Sequence, residues 1–128
     1  YKRGQLVWPN TEILNHIVQG LAADFVMMAR KYVWRYIPKT PQVYLINTVH
    51  DDVQADVDND PELIYTIACL LEDAFKAIPE TFEKTFGVAE NVPMGGEVSF
   101  GWNFKDENLI TFNRLTFKED FKRANSSN

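Results

Sequence analysis

Apolar residues along the chain follow two periodicities, and these divide it into helices and strands. From Thr11 to about Ile37, Ile17, Leu21, Phe25, Met28 and Tyr32 recur at spacings of three and four, the stripe of a helix that buries one face. Gln19-Gly20 predicts a break within this helix, and Pro38 and Pro41 end it. Val43 to Val49 is a near-continuous apolar run, as expected of a strand covered on both faces. After His50-Asp51-Asp52, Val53, Ala55 and Val57 alternate with Gln54 and Asp56, so a second strand turns one face to a core. The three polar residues between the strands suit a tight turn, because Asp tolerates left-handed backbone and bonds nearby amides.

Downstream, Asp60-Pro61-Glu62 is a helix start: a capping carboxylate, a proline at the first helical position and an acid at the positive end of the dipole. Leu63, Ile67, Leu70, Leu71, Ala74, Phe75 and Ile78 form its buried side, with Glu72, Asp73 and Lys76 in solvent. Pro79 breaks the helix, and Pro79 to Phe86 forms a second, short one ended by Gly87. Gly95-Gly96 precede a third alternating run in which Val98, Phe100 and Trp102 share a face. Asn103 to Asn108 reads as a turn, Leu109 to Phe112 as a short strand, and Leu115 or Thr116 to Ala124 as a short helix. Tyr1 to Asn10 reads as extended chain or loop, and Asn125 to Asn128 as a frayed end. The order predicts an α+β fold: a small antiparallel sheet of strands 43–49, 53–57 and 97–102, with helices packed on one face.

Composition narrows the class. The 128 residues suffice for one domain or a piece of one, and 45% hydrophobic with 13% aromatic residues supply a packed core. No apolar stretch is long enough to span a bilayer, and no signal segment follows Tyr1, so the expected setting is intracellular. Tyr1 is not a start methionine, which suggests a fragment, a processed product or one piece of a split protein. The single Cys69 excludes an intrachain disulfide and suits a small core residue. Asn125-Ser126-Ser127 matches a glycosylation acceptor, discounted without a secretory context. The net charge of −5 argues against a freestanding nucleic-acid binder but is compatible with an acidic, metal-binding part of a larger enzyme.

Two carboxylates and an imidazole at a rigid hairpin tip would hold a hard-metal ligand well, although an isolated His-Asp-Asp is most often a solvated polar turn. Two motifs change that balance. Val49-His50-Asp51-Asp52 followed by an alternating strand resembles motif C of family A DNA polymerases, usually Val-His-Asp-Glu. Upstream, Asn15-His16-Ile17-Val18-Gln19-Gly20-Leu21-Ala22-Ala23-Asp24 resembles the Asn-x-x-x-Gln-Gly-Thr-Ala-Ala-Asp segment of the same family. Gly96 to Phe104 is similar to the closing strand of the family's palm subdomain. The three matches occur in the family's order and cover most of residues 11 to 104.

The resemblance implies the C-terminal palm part of a DNA-directed DNA polymerase that needs motif A and the fingers from elsewhere: residues 1–128 would be this part of the palm, with 109–128 an unassigned tail. Asp51 would be the catalytic metal ligand, Asp52 a supporting acid in the usual Glu position, and His50 a neighbour of the primer terminus. Asn15 and Gln19 would probe the minor groove, where amide donors meet acceptors common to every base pair. They should lie on the same side of the fold as His50. Asp24 would be structural. The cofactor would be Mg²⁺ in a two-metal site, and the partners primer-template DNA, a deoxynucleoside triphosphate and the rest of the enzyme or a complementing chain. The lead-in from Trp8 to Glu12 and the length between Ala77 and Gly95 resemble phage members, placing the chain in the cytoplasm of an infected bacterial host. Leu21 replaces the usual Thr. Motif A and the fingers helix are absent, so the isolated chain is expected to be inactive and to lack ordered Mg²⁺. Two other readings stand beside this one: a non-catalytic polymerase-derived module for nucleic-acid binding or assembly, and an unrelated His-Asp metal hydrolase, weakened by the presence of only two histidines.

Overall fold

A computed structural model describes residues 10–89, 91–105 and 108–126. Its first element is α1 (Asn10–Tyr36), a single helix of 27 residues. The expected break at Gln19-Gly20 does not occur. One internal glycine costs about 1 kcal/mol relative to alanine, which flanking Leu21-Ala22-Ala23 outweigh. The buried stripe also differs from expectation: Val26, Ala29, Val33 and Ile37 are buried, whereas Ile17 and Leu21 are exposed. Both stripes have helical spacing, and the one that packs is the one that meets other elements. The reading of residues 1–9 as loop lies outside the described residues, and Asn10 already belongs to the helix.

The chain returns as a hairpin of β1 (Val43–Val49) and β2 (Asp52–Val57), antiparallel from Val43 opposite Val57 to Val49 opposite Asp52. Register shifts between Leu45 and Asn47, leaving Ile46 as a bulge. The bulge changes which residues of β1 share the inward face: Val43 and Leu45 before it, Thr48 after it. The continuous apolar run therefore does not become a strand buried on both faces; Tyr44, Ile46 and Val49 are exposed.

Next come α2 (Pro61–Lys76) and α3 (Ile78–Phe86). The start of α2 follows the expected chemistry: the Asp60 carboxylate accepts from the backbone N–H of Glu62 at 2.8 Å, with Pro61 at the first position. Gly87 ends α3 at φ 69°, in the left-handed region where a side chain would be strained. Ala29, Val33, Val43, Ile67, Ala74 and Ile78 form the first core, between α1, α2, α3 and the hairpin.

The last part is β3 (Ser99–Phe100), β4 (Ile110–Thr111) and α4 (Phe117–Ser126). β3 pairs with β4, so the described strands form two separate two-stranded sheets instead of the expected single sheet. The class is α+β, with four helices and two small antiparallel sheets. The third alternating run contributes only two strand residues, and Trp102 lies beyond them, exposed. At Gly101 the strands approach so closely that a Cβ would lie 2.4 Å from the Asn108 carbonyl oxygen. Phe112 and Phe117 bury against Ala68 of α2 in a second core, and Cys69 packs, half-buried, at its side. The rings of Phe117 and Phe100 meet edge to face at 5.4 Å.

Two side-chain contacts tie this tail to α2. Arg114 donates to Glu72 and to Asp73, each at 2.8 Å, so these acids are not the plain solvated positions expected. The hydrogen bond to Glu72, then that to Asp73, raises the Arg114 pKa further above its ordinary value. Asn125 accepts from Asn59 at 3.1 Å and donates to the Phe121 carbonyl, and the helix runs through Ser126 where fraying was expected from Asn125. Residues 127–128 lie outside the described residues.

Candidate active site at the hairpin turn

The turn of the first hairpin contains two residues, His50 and Asp51, because Val49 already pairs with Asp52. His50 has φ 53° and is the only non-glycine residue with positive φ among the described residues. A positive φ at the first turn position is a backbone conformation normally supplied by glycine. Histidine tolerates this region better than most side chains, yet it stores about 1–3 kcal/mol of backbone strain there. The geometry corrects the three-residue turn read from the sequence. Asp51 stands at the tip, while Asp52 is the first residue of β2 and shares its alternation with Gln54 and Asp56.

Asp51 and Asp52 are both exposed. Among the described residues, no side chain or backbone group hydrogen-bonds or pairs with either carboxylate, so their oxygens are available to a ligand. Both line the mouth of an open cleft of about 1050 Å³. One wall is β2. The other is the segment from Met94 to Phe104, which leads into and past β3, and the floor comes from α2 through Ile67, Leu71 and Phe75. Asp56 and Glu97 add two acids to the lining, and Glu97 accepts from Thr111 Oγ1 at 3.0 Å. Neither was singled out from the sequence. The signal for Asp56 lay in the alternation of β2, where it falls two and four residues after Gln54 and Asp52.

The amides are placed differently. Asn15 and Gln19 lie one turn apart on α1 and are exposed, so a four-residue spacing sets both on one helical face. Among the described residues, neither they nor His50 line the cleft; α1 reaches it further along, through Ala22, Phe25 and Val26. Asp24 is exposed too.

No group of three or more His, Cys, Asp or Glu side chains has metal-binding geometry among the described residues. Carboxylate oxygens suit Mg²⁺, but one carboxylate on the turn and one at the start of β2 leave most of an octahedral shell to other donors. No helix among the described residues is long and apolar enough to cross a membrane. Comparison with protein-family models, with characterised proteins and with solved structures gives no match.

Proposed function

We propose that the chain is the C-terminal palm part of a family A DNA polymerase and contributes Asp51 to template-directed nucleotidyl transfer. The observation that carries this reading is the two-residue turn, which presents Asp51 and Asp52 unpaired at the mouth of the cleft. In the reaction, the primer 3′-oxygen bonds to the α-phosphorus of the nucleotide, pyrophosphate leaves, and the hydroxyl proton is lost. Mg²⁺, when bound, lowers the cost of charge on the attacking and leaving oxygens. Asp51 would hold it, with Asp52 supporting. His50 would sit beside the primer end, and Asn15 and Gln19 would donate to minor-groove acceptors.

The cleft supports the need for a complementing segment. β2 and β3 belong to separate two-stranded sheets, and β2 and the run into β3 both line the open cleft. A further strand carrying the missing motif A carboxylate would enter beside Asp51, adding both a sheet partner and metal ligands. Primer extension by the chain plus such an upstream piece, with Mg²⁺, tests the reading. Extension is expected with the wild type and a loss of at least a hundredfold with Asp51→Asn, which removes the ligand's charge and keeps its shape. Asp52→Asn should lose less. Full activity of the Asp51→Asn pair would end the assignment; template binding by a wild-type pair that never extends would instead favour a non-catalytic binding or assembly module.

A further inference from the structure

From Phe25 to His50 the chain contains Arg30, Lys31, Arg35 and Lys39 and no Asp or Glu, in a molecule of net charge −5. Folding gathers these cations. Met27, Lys31, Trp34 and Arg35 recur at three- and four-residue spacings on α1, on the side away from buried Ala29 and Val33, with half-buried Arg30 at the edge of that side. Lys39 curls back from the following loop, with Nζ 4.0 Å from the Trp34 ring centre and donating to the Trp34 carbonyl. No carboxylate pairs with any of the four cations among the described residues. Compensation of the helix dipole accounts for cations in the last turn. It does not account for Trp34, whose ring is left 62% exposed among them, or for exposed Met27.

We propose that this face of α1 is a binding site for single-stranded nucleic acid, with Arg30, Lys31, Arg35 and Lys39 on phosphates and Trp34 stacking on an unpaired base. Cations that track a backbone around an exposed aromatic plane are the recognition elements such strands need. A lipid surface fits less well, because an interfacial helix needs a broad apolar face and this stripe offers only Met27 and Trp34. An acidic peptide would use the charges and leave the indole without a partner. The site lies at the Val43 end of β1, and six residue steps along that strand put it roughly 20 Å from the Asp51 turn. The inference does not depend on polymerase activity, since binding is read on the chain alone, without a complementing piece.

Fluorescence anisotropy of a labelled oligothymidylate with the full chain tests it. Binding should weaken with salt, the logarithm of the constant falling with a slope near −3 for about four phosphate contacts on a single strand. Arg30→Gln, Lys31→Gln and Arg35→Gln together should flatten that slope to about −1 and cost at least tenfold in affinity at low salt. Trp34→Ala should cost about tenfold with the slope unchanged. The proposal is overturned by no binding to the wild type, by unchanged binding in either variant, or by poly-glutamate or phosphatidylserine vesicles competing as well as unlabelled oligothymidylate.

Discussion

From Phe25 to Tyr36, α1 lies against the hairpin, α2 and α3 and buries Val26, Ala29 and Val33, with Ile37 buried just past its end. From Asn15 to Asp24 the same helix is exposed at every position, including Ile17 and Val18 at 65% each. The second half is the richer in apolar residues, but both halves carry apolar positions at helical spacing, so periodicity alone does not distinguish them. They differ in what stands beside them: the elements that build the first core reach only the second half. The half with the polymerase-like signature is thus the half that this chain leaves uncovered, and its apolar residues cannot be called core. In the proposed function that half faces duplex DNA and the rest of the enzyme.

The largest expected effect lies in the covered half. Ile78 of α3 is fully buried in the core that contains Ala29 and Val33. Ile78→Ala removes three carbons from that contact, and should destabilise the chain by about 2–5 kcal/mol, read as a lower midpoint in urea. A loss under about 1 kcal/mol would mean that α3 is not a fixed part of the packing, and the contrast between the halves would largely disappear.

Gly20 sharpens the comparison from the uncovered side, with the opposite sign. It lies inside α1, and a Cβ built there meets nothing within 4 Å. Gly20→Ala therefore gains helix propensity without a clash and should raise stability by about 0.5–1 kcal/mol. Helicity should rise in parallel by far-ultraviolet circular dichroism. A decrease would show that the first half is packed against something that the present contacts do not include.

Much of the fold was legible where the determining chemistry is local. The Asp60-Pro61 helix start, the Gly87 stop and the hairpin each rest on residues within a few positions of one another. The misreadings come from non-local pairings. β3 was assigned to the hairpin's sheet because alternation shows that a strand exists but not which strand it joins; its partner β4 has only two residues. Glu72 and Asp73 meet Arg114 some forty residues later, which no spacing rule announces. At the candidate site the position of Asp51 on a turn was legible from its neighbours. The assignment of Asp52 to the strand was not, because the pairing of Val49 decides it. The cleft was not legible either, since its walls come from segments forty residues apart.

The smallest expected effect is also the most direct measure of the uncovered half. Ile17 and Val18 are largely in water already, so little apolar area returns to solvent when they are shortened. Serine resembles valine and isoleucine in helix propensity, so the backbone term nearly cancels. Ile17→Ser with Val18→Ser should therefore shift the unfolding free energy of the isolated chain by less than about 0.5 kcal/mol, the range of an ordinary surface change. The same pair should lower any concentration-dependent association seen by analytical ultracentrifugation, because it removes exposed apolar side chains. A loss of about 1.5 kcal/mol or more in dilute protein would mean that these residues are buried in solution by contacts within the chain. The distinction between the two halves of α1 would then fail. A loss that appears only at high protein concentration would place a second copy of the chain on this half instead.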